Sequence, residues 1–254
     1  MAALERQELD VNGVRTVVYS AGSGETVVFF HGAGTATGFD FTLPLADGFR
    51  LVVPVHPGFG ESGDDPRVNS VHDYVLHYLD LFDQLGVDSF RLVGHSLGGW
   101  LAAAFAIEQT KRVQRLVLVS PAGLRVPEAP TVDLFSMRPE EIGPALTENP
   151  EIFAGKIPDP PDIDFIVGQY REMASFAQVA WERNYDPKLA RWLHRLTMPT
   201  MVLWGGKDKI VPAAQSDIWA GLIPGAEVTV LPDRGHLVLE ETPEALSTIA
   251  KFLS

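Results

Sequence analysis

Gly94-His95-Ser96-Leu97-Gly98 is the stretch that decides the fold, because it stands where a buried strand is predicted to turn sharply into a helix. The preceding run, 90–93, is short, apolar and partly β-branched, which is typical of a strand covered on both faces. The following run, 99–107, is typical of a buried helix. Side chains at 94 and 98 would keep strand and helix apart, so glycine is needed on either side of Ser96. The sequence therefore predicts a tight, strained turn with Ser96 at its tip.

Such a turn gives Ser96 and its neighbour chemical possibilities that an ordinary loop lacks. The Ser96 hydroxyl would stand clear of the sheet, and the Leu97 amide would point from a helix N-terminus to where a carbonyl oxygen gains negative charge. We therefore predict Ser96 as a nucleophile. The alternative is a glycine-rich turn with a surface serine, because Gly, Ser and Gly at this spacing also recur by chance.

The rest of the chain alternates short apolar runs with helical stretches, which predicts an α/β fold with a mostly parallel sheet and helices on both faces. Asn12-Gly13 separates the first two runs and predicts an opening antiparallel hairpin. Ser70 is expected to cap the first helix, and prolines at 212 and 243 are expected to open the last two. The predicted strands are 4–11, 14–19, 26–30, 51–53, 90–93, 115–119, 200–204 and 227–231, and the predicted helices are 71–85, 97–109, 212–220 and 244–253.

The alternation fails between 122 and 196, where prolines up to Pro160 and Pro161 break the chain repeatedly. We predict that 122–196 is a lid inserted into a core formed by 1–121 and 197–254. A helix over 165–181 is expected in the lid. Its large apolar side chains could roof a pocket or merely pack the lid onto the core: Phe165, Tyr170, Met173, Phe176 and Trp181.

A serine hydroxyl needs a base, and the base needs an orienting acceptor. The carboxyl ends of parallel strands share one edge of a sheet, so partners should follow other strands. Asp208 follows the run 200–204, and His236 follows the last run, 227–231. We predict that His236 is the base and Asp208 the orienting acid. Taken singly, each could also be an ordinary turn or loop residue.

An oxyanion needs two backbone donors, and the loop His31-Gly32-Ala33-Gly34 directly follows a predicted strand. We assign one donor to the Ala33 amide and the other to the Leu97 amide. A dinucleotide-binding loop is the competing interpretation, but three residues rather than two separate Gly34 from Gly38. The candidate pocket residues are His31, Gly32, His95, Trp181, Val211 and Leu237.

Composition restricts the class of protein. The chain has 254 residues, 46% of them hydrophobic, a formal net charge of −13 and no cysteine. This charge disfavours nucleic acid and anionic membranes as partners, and the lack of cysteine excludes disulfides and thiolate metal ligands. The first ten residues lack the apolar core of a signal peptide, and no run approaches a membrane span. We expect a cytoplasmic monomer or homodimer that binds a small neutral molecule and uses no metal or other cofactor.

The chain resembles the serine hydrolases of the α/β-hydrolase fold. The matching stretches are His31-Gly32, Pro57-Gly58-Phe59-Gly60-Glu61-Ser62, Gly94-His95-Ser96-Leu97-Gly98-Gly99, Trp204-Gly205-Gly206-Lys207-Asp208-Lys209-Ile210-Val211-Pro212, Gly235-His236 and Glu241-Thr242-Pro243-Glu244. The resemblance implies an α/β-hydrolase fold, a triad of Ser96, Asp208 and His236, and hydrolysis without a cofactor. Ser96 distinguishes the chain from epoxide hydrolases and haloalkane dehalogenases, which carry aspartate at the elbow.

Within that family we expect hydrolysis of carboxylic esters or lactones through an acyl-enzyme. Carbon-carbon hydrolases of aromatic ring cleavage are the first alternative. They usually carry a longer glycine run in the oxyanion loop and a tryptophan after the catalytic histidine, where this chain has Thr35 and Leu237. A weakly catalytic ligand receptor that signals through its lid is the second alternative.

Overall fold

The computed structural model describes residues 3–154, 156–158, 160 and 162–254, and its centre is one eight-stranded sheet. The strands are β1 (Glu5–Val11), β2 (Val14–Ala21), β3 (Thr26–Phe30), β4 (Arg50–Pro54), β5 (Phe90–His95), β6 (Val113–Val119), β7 (Thr200–Gly205) and β8 (Glu227–Leu231). Their order in the sheet is β1-β2-β4-β3-β5-β6-β7-β8; the β1–β2 and β2–β4 pairs are antiparallel, and the remaining pairs are parallel. This confirms the predicted α/β architecture and each predicted strand.

The hairpin that opens the chain forms at the predicted turn. Asn12 and Gly13 both have positive φ, 52° and 87°, as a two-residue hairpin turn requires. Seven residue pairs then join β1 to β2, from Glu5 opposite Ser20 to Val11 opposite Val14.

One strand departs from the expectation that both faces are covered. β5 and β7 are buried along their whole length, but β8 is buried only at Leu231, with Val228 39% and Val230 41% exposed. β8 is the last strand in the sheet order, so it has one neighbour and less covering structure. Apolar composition alone does not separate an edge strand from a central one.

Helices flank the sheet near their predicted positions. Ser70 caps the first helix, its hydroxyl accepting a hydrogen bond from the Asp73 amide at 3.3 Å. The start predicted at Pro212 is wrong: the Gln215 amide bonds the Pro212 carbonyl in a tight turn, and the helix begins at Gln215. The helices are α1 (Val71–Gln84), α2 (Leu97–Glu108), α3 (Pro139–Leu146), α4 (Ile163–Ala180), α5 (Leu189–Trp192), α6 (Gln215–Leu222), α7 (Val238–Glu241) and α8 (Pro243–Leu253), with 3-10 turns at Asp40–Asp47, Leu134–Ser136, Pro150–Phe153 and Leu193–Arg195.

The core between the sheet, α1 and α2 is rich in aromatic rings. The Phe30 ring stacks on Tyr78 at 4.2 Å between centroids, and Phe82 and Phe105 complete the cluster. All four side chains are fully buried. Each buried ring contributes roughly 1.5–3 kcal/mol through the apolar surface it removes from water. This cluster fixes the position of α2, whose first residue follows Ser96.

The segment between β6 and β7 holds α3, α4 and α5, and its described residues form no strand beyond a single bridge, Gly123 to Tyr185. The boundaries 122–196 of the lid remain a prediction. Met1, Ala2 and Pro161, which belong to the predicted core and to the proline series, lie outside the described residues. Among the residues that are described, no helix has the length and apolar character needed to cross a membrane.

Candidate active site

Ser96 lies at the tip of the turn between β5 and α2, in a strained backbone conformation. Its φ is 56° and its ψ is −117°, a region that residues with side chains rarely adopt. The end of β6 and the loop after it hold the turn: the Ser96 amide donates to the Val119 carbonyl at 2.9 Å, and the Ser96 carbonyl accepts from the Ala122 amide at 3.0 Å. Such support is what a strained residue needs to persist.

The two glycines around Ser96 are required by close packing, as the sequence predicts. A Cβ at Gly94 would lie 2.3 Å from the Gly98 carbonyl oxygen, and a Cβ at Gly98 would lie 2.1 Å from the Phe30 carbonyl oxygen. Both distances are far below any real Cβ contact, so α2 could not approach β3 and β5 with side chains there.

Asp208 and His236 form a buried hydrogen-bonded pair. His236 Nδ1 lies 2.7 Å from Asp208 Oδ2, while Asp208 Oδ1 accepts the amides of Ile210 at 2.9 Å and Val211 at 2.8 Å. Burial alone would raise the pKa of Asp208, but the charge of His236 and these hydrogen bonds hold it below its ordinary value. Asp208 is therefore a carboxylate at neutral pH and keeps the proton of the imidazole on Nδ1.

The loops that carry this pair are joined to each other. The Lys207 amide donates to the Arg234 carbonyl at 2.8 Å. Gly205, at the end of β7, allows the approach, since a Cβ there would lie 2.0 Å from the Gly235 carbonyl oxygen. Among the described residues Ser96 Oγ makes no hydrogen bond to His236. Hydrogen bonds of this kind often become short only when a substrate binds.

His95, a candidate pocket residue, contacts His236. Its Nε2 lies 2.9 Å from the His236 carbonyl oxygen, and the two rings are 4.9 Å apart. Burial, followed by the neighbouring His236, lowers the pKa of His95 to about 3, so the ring is neutral and Nε2 donates its proton. His95 is the last residue of β5, directly before Ser96.

His31 and Gly32, two further candidate pocket residues, are held by contacts with the loop after β4 and within their own loop. His31 Nε2 accepts the His56 amide at 2.9 Å, so its proton is on Nδ1, which lies 2.7 Å from the Gly32 carbonyl oxygen. The His56 ring stacks on His31 at 3.6 Å. Burial lowers the pKa of His31 to about 4. A Cβ on Gly32 would lie 3.4 Å from that of Ser96, so this loop packs directly against the turn.

Two backbone amides are available beside Ser96. Ala33, Ser96 and Leu97 line the same pocket. Within the described part of the chain, neither the Ala33 nor the Leu97 amide donates a hydrogen bond, and Leu97 is the first residue of α2. Free amides at a helix N-terminus attract negative charge. This arrangement can accommodate a developing oxyanion.

The pocket in front of Ser96 contains about 430 Å³ of empty space, part of it open to solvent. Its wall is mainly apolar, with Thr131, Asp133 and Asn184 as its polar side chains beside Ser96. The lining residues are Ala33, Ser96, Leu97, Trp100, Ala122, Thr131, Val132, Asp133, Leu134, Phe135, Phe176, Asn184, Ile210 and Val211. Val211, one of the candidate pocket residues, is among them.

Trp181 is not in the pocket but on the surface. It is 70% exposed, and its ring packs on Phe135 at a centroid distance of 5.3 Å. Phe176 lines the pocket, and five residues further along a helix a side chain points about 140° away. Tyr170 is also outside, 78% exposed, and Phe165 and Met173 are absent from the pocket wall.

Leu237, also a candidate pocket residue, directly precedes α7. Its amide donates to the Leu146 carbonyl at 2.9 Å, which joins the His236 loop to the end of α3. Glu241 reinforces this contact, since it accepts the Gly235 amide at 2.9 Å and the Thr147 hydroxyl at 2.8 Å. The sequence offered Glu241 only as part of a matching stretch and gave no signal for its role.

A family model described as "Alpha/beta hydrolase family" matches residues 27–249 of the chain. A poly(3-hydroxyalkanoate) depolymerase of Ectopseudomonas oleovorans is 29% identical over 189 residues, which cover 68% of this chain and 64% of the depolymerase. A human monoacylglycerol lipase is 26% identical over 215 residues, covering 75% of this chain and 60% of the lipase. The chain thus spans about three fifths of the length of the curated relatives it matches.

The fold of the chain is also similar to that of solved structures. An esterase of Thermogutta terrifontis has a TM-score of 0.78 at 26% identity, with 98% of each chain covered. A meta-cleavage product hydrolase of Pseudomonas fluorescens has a TM-score of 0.80 at 22% identity, with 97% of this chain and 96% of the other covered. The sheet order and these matches define an α/β-hydrolase fold. The chain belongs to the alpha/beta hydrolase family.

Proposed function

We propose that the chain is a serine hydrolase of carboxylic esters or lactones, with Ser96 as nucleophile, His236 as base and Asp208 as orienting acid. The observation that carries the proposal is that strained Ser96 shares one pocket with the free amides of Ala33 and Leu97. Acyl transfer requires a nucleophile and two hydrogen-bond donors that face the same small pocket.

The reaction follows from the protonation state of the buried pair. Asp208 holds the imidazole proton on Nδ1, which leaves Nε2 of His236 free to accept the Ser96 proton. Ser96 Oγ then attacks the carbonyl carbon, and the amides of Ala33 and Leu97 donate to the resulting oxyanion. The C–O bond to the alcohol breaks as Nε2 returns the proton to that oxygen. Water, deprotonated by the same Nε2, releases the acid and restores Ser96.

The pocket supports a small, largely apolar acyl group. Its wall is mainly aliphatic and aromatic, and the net charge of −13 disfavours anionic substrates. The names of the depolymerase and the lipase also indicate ester substrates. Carbon-carbon hydrolysis shares the fold, but likeness at 22% identity supports the fold alone. That activity, and a receptor role, become outcomes of the test.

The test is hydrolysis of p-nitrophenyl esters of increasing acyl length, beside simple lactones and a ring-cleavage dienone. Ser96→Ala is the blank. Ser120→Ala is the matched control, because Ser120 is another buried serine with positive φ at a strand end, and its hydroxyl has no partner among the described residues. We expect turnover of short esters or lactones in the wild type and Ser120→Ala, and none in Ser96→Ala.

Each other outcome decides between the alternatives. Activity retained by Ser96→Ala removes Ser96 as nucleophile. Turnover of the dienone alone replaces ester hydrolysis with carbon-carbon hydrolysis. Almost no turnover of any substrate by the folded protein favours the role of a weakly catalytic ligand receptor.

A further inference from the structure

Glu172 is a buried carboxylate of α4 that the reaction above does not use. It is 4% exposed, although charged groups are rarely buried unless they are paired. Its Oε2 accepts the Thr35 amide at 3.1 Å, and its Oε1 accepts the Gly60 amide at 2.9 Å. The Thr35 hydroxyl also donates to Oε1. One lid carboxylate therefore takes three hydrogen bonds from two loops of the core.

The two loops differ in what they carry. Thr35 comes two residues after Ala33, in the loop that follows β3 and packs on Ser96. Gly60 lies in the loop after β4, which α4 also contacts elsewhere: Arg171 donates to the Gly60 carbonyl, and Ser175 Oγ donates to the Gly58 carbonyl at 3.1 Å. Glu172 is the α4 side chain that hydrogen-bonds the loop of Ala33.

This loop needs an external support at its far end. Ala33 lies between Gly32 and Gly34, and glycine leaves the backbone free to rotate. At the near end, His31 is fixed by the His56 amide and by its own bond to the Gly32 carbonyl. At the far end, the Thr35 amide and hydroxyl are held by Glu172. Hydrogen bonds to a carboxylate are roughly twice as strong as those between neutral groups.

We propose that Glu172 is a positioning residue for the oxyanion hole. Acting through Thr35, it aims the Ala33 amide at the oxyanion, so that the hole is complete when α4 lies on the core. This role rests on the proposed function. It links the lid to the chemistry directly, because the same helix supplies Phe176 to the pocket and Glu172 to the loop.

The experiment compares Glu172→Ala and Glu172→Gln with Ser175→Ala, on a p-nitrophenyl ester that the wild type hydrolyses. Ser175 is the matched control, because it lies one turn further along α4, is buried, and bonds the loop that carries no oxyanion donor. Loss of a single oxyanion donor lowers kcat by about 10²–10³-fold. We expect Glu172→Ala to lower kcat at least about tenfold with little change in KM, and Ser175→Ala to keep kcat within about twofold of the wild type.

Glu172→Gln keeps one acceptor oxygen, so we expect partial rescue of kcat relative to Glu172→Ala. Inhibition by a phenylboronic acid gives a readout that mere loss of stability would not move, since the boronate forms a charged tetrahedral adduct with serine. The affinity for the boronic acid should fall in parallel with kcat in the Glu172 variants. Thr35→Val removes the hydroxyl donor but keeps the amide, and it should fall between the wild type and Glu172→Gln.

The outcomes separate this inference from the function on which it rests. A wild type without Ser96-dependent turnover overturns the proposed function, and this role with it. An active wild type whose Glu172 variants match Ser175→Ala in kcat and in boronate affinity overturns the positioning role alone. If Glu172→Ala does not fold, as its melting curve would show, the comparison of Glu172→Gln and Thr35→Val with Ser175→Ala decides by the same criteria.

Discussion

His95 Nε2 donates to the carbonyl oxygen of His236 across 2.9 Å, so the residue before the nucleophile holds the backbone of the base. Both side chains are buried, His95 at 7% and His236 at 2% exposure. The position of His236 therefore depends on the Asp208 carboxylate at its Nδ1 and on the His95 ring at its carbonyl.

We expect His95→Ala to lower kcat for ester hydrolysis by about tenfold or more, with a smaller change in KM. The substitution leaves a buried carbonyl without a partner, which costs roughly 1–3 kcal/mol and loosens the base. Steady-state kinetics would measure the effect. His72→Ala is the control, because the His72 side chain is 62% exposed and lies in α1. Equal kinetics in the two variants would contradict the role of His95.

Asp208→Asn tests the orienting acid with little change in shape. The asparagine oxygen can still accept the amides of Ile210 and Val211, but its NH₂ group would face His236 Nδ1. The imidazole must then place its proton on Nε2, where it cannot act as a base. In the best-known triad this change lowers kcat about 10⁴-fold. We expect a loss of similar order with an unchanged melting temperature, and retention of more than a tenth of the activity would exclude Asp208 from this role.

Stability should fall as the solution is acidified from pH 7 to pH 4, because four histidines are buried in neutral form. Burial lowers the pKa of His31 and His77 to about 4 and that of His95 to about 3, and it lowers the pKa of His56 well below its ordinary value. The unfolded chain binds protons at these sites from about pH 6.5 downward, while the folded chain does not. The contribution of these neutral histidines to the stability of the folded chain is therefore fully present above pH 6.5. It is lost as the pH falls through the pKa values that the histidines have in the folded chain.

Lowering the pKa of one histidine from about 6.5 to about 4 reduces the free energy of unfolding by roughly 3 kcal/mol between pH 7 and pH 4. Urea unfolding at intervals from pH 7 to pH 4.5 would measure the slope. His77→Gln should flatten it, because this removes one buried titrating ring outside the proposed active site, where His77 Nε2 lies 3.1 Å from Thr16 Oγ1. A stability independent of pH over this range would contradict the neutral state of these rings.

The sequence predicted the sheet and the strained turn because local patterns determine both. Gly94 and Gly98 had to be glycine for a short-range reason, the crowding between β5 and α2, and the structure shows that crowding. The pairing of Asp208 with His236 was also accessible, since each follows a strand and the strands are neighbours. The roles of His95, Glu172 and Glu241 were not, because each depends on a contact with a loop far away in sequence.

Two glycines, Gly98 and Gly221, should differ in how much an alanine in their place changes the stability of the fold. Gly98→Ala would place a Cβ 2.1 Å from the Phe30 carbonyl oxygen and 2.4 Å from that of His31, so backbone must move and we expect no stable fold. Gly221 lies in α6 with nothing within 4 Å of its Cβ position. We expect Gly221→Ala to be neutral or to stabilise by about 0.5–1 kcal/mol, because alanine favours helices. Melting temperatures of both variants would test the pair.

Phe176 and Trp181 should differ in their effect on the acyl end of the substrate. Phe176 lines the pocket and stacks on Phe135 at 5.1 Å, whereas Trp181 touches the outer side of Phe135 and is 70% exposed. Phe176→Ala should enlarge the pocket by about the volume of one phenyl ring. The variant should therefore prefer p-nitrophenyl esters with longer acyl chains than the wild type does. Trp181→Ala removes a still larger side chain of the same lid and should leave the chain-length profile unchanged. The ratio of kcat/KM between a long and a short ester measures this preference in each variant. A shift in Trp181→Ala equal to that in Phe176→Ala would mean that the acyl group leaves the pocket along the surface of the lid, and the two positions would then share the control of specificity.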